Sequence, residues 1–189
     1  MTGKHTRQVT YFRELAAAIN EAMTGVPSGW QGIDTPKRTL YQHRVDEWHR
    51  LMAELYDGLY VDLAEARLRD SAAIERLITF LEADVVCHRS GYFKVDAIKE
   101  LLRVNLSQSN RRRLEHVVLD AVDGQDRREF RAYTRLARKL DNQRLRSELQ
   151  RRLTSDEFRT RRHAGWALAA LADNGRAGCA ATLTPLAGS

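Results

Sequence analysis

Apolar residues recur along this chain at intervals of three and four. From Val9 they fall at Phe12, Leu15, Ala16, Ile19, Ala22 and Met23, the spacing that lines one buried face of a helix. Gly25 stops that helix. The stretch from Thr24 to Thr35, with Gly25, Pro27, Ser28, Gly29, Trp30 and Gly32, reads as a long loop and an internal boundary, pinned to the body by Trp30. Thr35 before Pro36 opens a second helix, because threonine caps free amides and proline at the first helical position loses no hydrogen bond. Leu40, Val45, Trp48, Leu51, Met52, Leu55 and Leu59 share its apolar face, and Gly58 is expected to end or kink it before the segment 60–69. Asp70 or Ser71 caps a third helix, with Ile74, Leu77, Ile78 and Leu81 inside.

Beyond residue 84 the periodicity predicts five helices, at about 92–104, 108–122, 126–140, 143–153 and 156–172. Asp126 with Glu129, and Thr154 with Glu157, have the spacing of reciprocal capping boxes. Aligning the first, third and fifth of these helices sets Ala97 over Ala132 and Ala164, and Leu101 over Leu136 and Leu168. Leu102 then lies over Ala137 and Ala169. A small residue followed four positions later by leucine lets neighbouring helices approach closely and lock through one larger side chain. No valine-rich alternating run appears, aromatic content is 7%, and prolines number three, so the expected class is all-α.

The run TSDEFRTRRHAGWALAAL resembles a unit of the HEAT-like helical-repeat family in its turn, acidic helix start, arginine and Ala-x3-Leu progression. GQDRREFRAYTRLARKL and GYFKVDAIKELLRV are weaker copies, so the resemblance spans about residues 72–172. It implies a HEAT-like stack of antiparallel helical hairpins, with the N-terminal helices as a cap and a general role as a binding scaffold. The expected division is a helix and loop at 1–35, a helical-repeat body at 36–172 and a mobile tail at 173–189, which would leave Cys179 exposed.

Charge adds a direction to this picture. Residues 1–93 carry 11 basic against 13 acidic side chains, whereas 94–174 carry 19 against 12, so the net +6 lies in the second half. Arg127, Arg131 and Arg135 form a stripe at helical spacing, continued by Arg138 and flanked by Arg128 and Lys139. By the resemblance this helix lies on the convex side of the stack. Arg111, Arg112, Arg113, Arg144, Arg151 and Arg152 belong to the second helices, where such scaffolds commonly bind. Those six with Arg127, Arg131 and Arg135 are the candidate contacts for a protein partner with an acidic surface or, as the alternative, for nucleic acid read without sequence preference. Tyr133 and Trp166 both fall at expected apolar-face positions, so base stacking is not indicated.

Enzyme chemistry finds little purchase, and the expectation is a non-catalytic adaptor without cofactor or metal. His43 with Glu47, and Asp46 with His49, each supply two ligands where a catalytic zinc takes three protein ligands. Cys87 and His88 are adjacent, so on a helix their side chains diverge; the expectation is a buried thiol beside a surface imidazole. No serine sits in a strand–elbow–helix context, and Gly25, Gly29 and Gly32 lack phosphate-loop spacing. Some HEAT-like proteins are DNA glycosylases that hold a damaged nucleotide with tryptophans and an aspartate, parts that Trp48 and Trp166 with Asp120 or Asp123 would fill here. Two distant cysteines, no signal-type leader and no bilayer-length apolar run make the expected location cytoplasmic, away from membranes.

Overall fold

The computed structural model describes residues 2–24 and 35–179, and within them every regular element is a helix. They are α1 (Thr2–Met23), α2 (Thr35–Arg67), α3 (Ser71–Ala83), α4 (Ser90–Arg103), α5 (Gln108–Asp123), α6 (Phe130–Leu140), α7 (Gln143–Arg152) and α8 (Phe158–Cys179). No described helix is long and apolar enough to cross a membrane. The Trp30 loop and the residues after Cys179 lie outside the described residues, as does the Cys179 side chain.

The chain divides into two compact units, 1–105 and 106–189. That division falls inside the stretch 36–172 whose periodicity reads as continuous. In the first unit α1 packs on α2 and α3, and α2 packs on α3 and α4. Phe12 meets Phe80 edge-on at 5.7 Å, while Tyr56 stacks on Phe93 at 4.2 Å. Further along the same pair of helices Arg67 bonds to Glu100 at 2.9 Å, so α2 and α4 run in the same direction. Asp70 caps α3 as its sequence implies, its Oδ1 accepting from Ala73 N at 2.7 Å.

Gly58 does not end α2, which continues through it to Arg67. Tertiary packing on both sides outweighs one poor helix former, since Leu55, Tyr56, Leu59 and Leu63 are all buried. A Cβ at Gly58 would meet nothing within 4 Å. Gly58→Ala is therefore expected to stabilise the protein by about 0.5–1 kcal/mol, read as a higher urea midpoint; a lower midpoint would show that this position needs its glycine.

In the second unit α5 packs on α6, α6 on α8 and α7 on α8. Arg111, at the start of α5, donates to the Lys139 carbonyl at the end of α6, so those helices are antiparallel. Arg146, early in α7, reaches the Leu171 carbonyl late in α8, and that pair is antiparallel too. Phe130 stacks on His163 at 4.2 Å and Arg138 donates to Ala170 O, so α6 and α8 run alike. Asn142 meets Glu115 at one end, and Arg152 meets Asp123 at the other, so α5 and α7 also run alike.

Local expectations fail where a distant partner competes. Asp126 does not cap α6, which begins at Phe130 after an N-cap, Glu129, that makes no side-chain bond. Its carboxylate instead accepts from Arg162 and lies 2.9 Å from His163 Nε2. At α8 it is Ser155 Oγ, not Thr154, that accepts from Glu157 N. The small-to-leucine alignment also slips by one in α8. Its buried face is His163, Ala164, Ala167 and Leu171, while Leu168 is half-buried and Ala169 exposed.

Candidate functional site

Two parallel helices of the second unit, α5 and α7, begin side by side. Ser107 caps α5 by accepting from Asn110 N at 3.1 Å, and Asn142 caps α7 by accepting from Leu145 N at 2.9 Å. Each cap leaves the remaining first-turn amides pointing outward, with the positive end of the helix dipole behind them. Between these two ends lies a cleft of about 230 Å³ lined by Gln108, Arg111, Arg112, Glu115, Asn142 and Arg144.

The cleft is strongly asymmetric in charge. Its only carboxylate, Glu115, is 4% exposed and accepts from Asn142 Nδ2 at 2.6 Å. Arg144 comes no closer to that carboxylate than 4.0 Å and turns its other terminal nitrogen to His116 Nε2 at 3.4 Å. Arg111 donates one N–H to Lys139 O at 3.1 Å, and Arg112 is exposed with no carboxylate partner among the described residues. Lys139 is pushed below the ordinary ammonium range, first by burial and then by the neighbouring Arg111 charge.

At the opposite end of the α5–α7 layer the positive charge is neutralised. Arg152 donates to both oxygens of Asp123, at 2.9 and 2.8 Å, and to Glu148 at 2.8 Å; Arg151 also donates to Glu148, at 2.8 Å. Those two arginines hold Glu148 below the usual carboxylate range. A second cleft of about 470 Å³ lies there, but Asp123, Asp156 and Glu157 share its lining with Arg151 and Arg152. Arg111, Arg112 and Arg144 thus gather at one basic end, whereas Arg151 and Arg152 are paired with carboxylates.

The remaining candidates are scattered. Arg113 is half-buried, and Arg127 is half-buried against Gly124, where an added Cβ would lie 2.9 Å from its guanidinium. Both already interact with neighbouring groups. Arg131 and Arg135 are exposed on α6 with no carboxylate partner among the described residues.

Trp166 corrects an expectation. It is 51% exposed, not on the apolar face, whereas Tyr133 is buried. The Arg162 guanidinium lies over the Trp166 ring at 5.0 Å, and Phe158 beside it is exposed as well. Beneath this patch His163 is buried, with Nδ1 3.1 Å from Val122 O and Nε2 2.9 Å from Asp126. A neutral imidazole carries one N–H, so both contacts are hydrogen bonds only when the ring is the cation. Asp126 is held below the carboxylate range by the bond from Arg162 and then by that from His163.

Among the described residues no three His, Cys, Asp or Glu side chains converge as metal ligands. Asp46 accepts from Gln42 and Glu47 from Arg50. Cys87 is half-buried, its thiol pushed up by burial, with Tyr56 Oη 3.4 Å away; His88 is exposed and meets the edge of Trp48. Asp123 accepts the two hydrogen bonds from Arg152 described above, and Asp120 is engaged too.

Glu115, Asn142 and Gln108 escape a search for basic stripes. Asn142 had a local signal, as a capping residue before a helix. Glu115 had another, as an acid among the buried Leu114, Val117 and Val118. Comparison of the chain with protein-family models, curated proteins and solved structures yields no match.

Proposed function

We propose that the protein is a non-catalytic adaptor of HEAT-like architecture whose second unit holds the acidic surface of a protein partner against the α5–α7 layer. One observation carries the reading: three arginines surround a single cleft with one buried carboxylate, leaving positive charge that no other residue of the lining neutralises. The architecture is supported by the order of the hairpins. The pair α5–α6 is followed by α7–α8 with like-directed helices side by side, so that one hairpin covers the apolar face of the next. The unpaired Cys87 thiol is in keeping with a cytoplasmic setting.

Fluorescence anisotropy with a labelled Asp/Glu-rich peptide tests this reading. Binding is expected at about 50 mM salt and should weaken at least tenfold by about 200 mM, where surface charges are more fully screened. Arg111→Glu with Arg112→Glu should weaken it at least tenfold at the lower salt, the range expected for reversed interface charges. Unchanged affinity in the double variant overturns the reading.

Sequence-independent nucleic-acid binding is the second reading, and the exposed Trp166 with Arg162 over its face favours it, because such a ring can stack on any base. Its mark in the same titration would be salt-steep binding of a single-stranded oligonucleotide that falls on Trp166→Ala. For the base-excision reading, the bidentate bond to Arg152 already occupies the Asp123 carboxylate.

A further inference from the structure

The cleft between the first turns of α5 and α7 has a charge deficit of definite size. Arg111, Arg112 and Arg144 face one carboxylate, that of Glu115, so two positive charges go unmatched. Glu115 offsets no more than one of the three: its Oε1 accepts from Asn142 at 2.6 Å and its Oε2 lies 4.0 Å from Arg144. The two helix starts contribute positive potential of the same sign.

Size narrows the ligand further. About 230 Å³ corresponds to about seven waters at bulk density, below the roughly 300–1,000 Å³ of pockets that enclose drug-sized ligands. A small tetrahedral anion fits that space. A phosphomonoester carries about −1.5 to −2 charge at pH 7 and three acceptor oxygens, matching both the deficit and the guanidinium forks. A carboxylate or a backbone phosphodiester, each with one negative charge, would leave about half of the deficit standing.

We propose that this cleft is a phosphomonoester pocket that takes a phosphorylated serine or threonine of the protein partner. The inference rests on the reading of the α5–α7 layer as the partner-binding surface. Arg112 and Arg144 supply the donors at the mouth and Arg111 those that remain after its bond to Lys139. Glu115 and Asn142 are positioning residues: their mutual bond and the Asn142 cap on Leu145 N tie the floor to both helices.

Anisotropy of the full chain with a short labelled Gly/Ser peptide tests the pocket, the peptide carrying phosphoserine, serine or aspartate at one position. The phosphoserine form should bind at least about tenfold tighter than the other two, and inorganic phosphate should compete where chloride at equal ionic strength does not. Arg144→Gln should remove that advantage, and Arg112→Gln, at an exposed residue, should reduce it with no change in fold. Arg131→Gln with Arg135→Gln should leave it intact. Equal binding of the phosphoserine and aspartate peptides would overturn the pocket while leaving an anion-binding surface. Preference for a single-stranded oligonucleotide, lost in Arg112→Gln, would overturn the peptide source. Failure of every anionic probe, the Asp/Glu-rich peptide included, would overturn the surface reading itself.

Discussion

Leu136→Ala is expected to destabilise the protein by about 2–5 kcal/mol, the cost of a core truncation that leaves a cavity. Leu136 lies midway along α6, is 0% exposed, and belongs to the helix that packs against both α5 and α8. Ala132, Tyr133, Ala137 and Leu140 surround it on the same buried face, so the neighbouring backbone has little freedom to collapse into the gap. Hydrogen exchange should show faster exchange for the amides of α5, α6 and α8, and the denaturant midpoint should fall with an unchanged slope. Leu153→Ala serves as the control, since Leu153 is 42% exposed and its loss should cost far less. Equal effects of the two truncations would mean that α6 does not seat the second unit.

The next largest effect belongs to a buried cation in the first unit. Lys94 is 1% exposed, and its ammonium meets Asp84 at 2.7 Å. Asp84→Asn leaves that charge buried without its carboxylate and is expected to cost about 2–4 kcal/mol. The figure lies below that for a fully buried pair because Asp84 is itself 37% exposed. Asparagine is the substitution of choice because Asp84 has φ 46°, a left-handed conformation that Asn tolerates. Lys94→Met removes the charge together with its need for a partner and should stay within about 1 kcal/mol of the parent. The double variant should then be more stable than Asp84→Asn alone, with urea midpoints as the readout. A double variant no better than Asp84→Asn would assign the loss to the α3 C-cap, not to the stranded ammonium.

The arginines of the basic cleft were legible in the chain, although not which of them share it. Arg111, Arg112 and Arg144 stand out in the chain as basic residues and line one cleft, but α5 pairs with α6 and α7 with α8, so their helices come first in each hairpin and not second as the alignment implied. Arg151 and Arg152 look the same in sequence and differ only in their surroundings. Asp123, which neutralises Arg152, lies 29 residues away. Trp166 shows the reverse error: within its own helix the spacing suits an apolar face, but that face is turned so that Ala164 and Ala167 pack inward.

The sequence by itself determined that the described chain is helical and roughly where each helix lies. Helical hydrogen bonds join residues four apart, and a cap such as Asp70 acts three residues away, so the information sits within one turn. Only the tertiary structure decided which charges are free and which are spent. Asp126 has the spacing of a capping residue, yet its carboxylate goes to Arg162 and His163, 36 and 37 residues further on. A charge-assisted contact between packed helices is stronger than a neutral cap bond, and no window of local sequence contains both of its ends. The division into two units has the same origin: α4 aligns in sequence with α6 and α8 but packs on α2 and α3, because which apolar faces cover one another is set by the packing of whole helices.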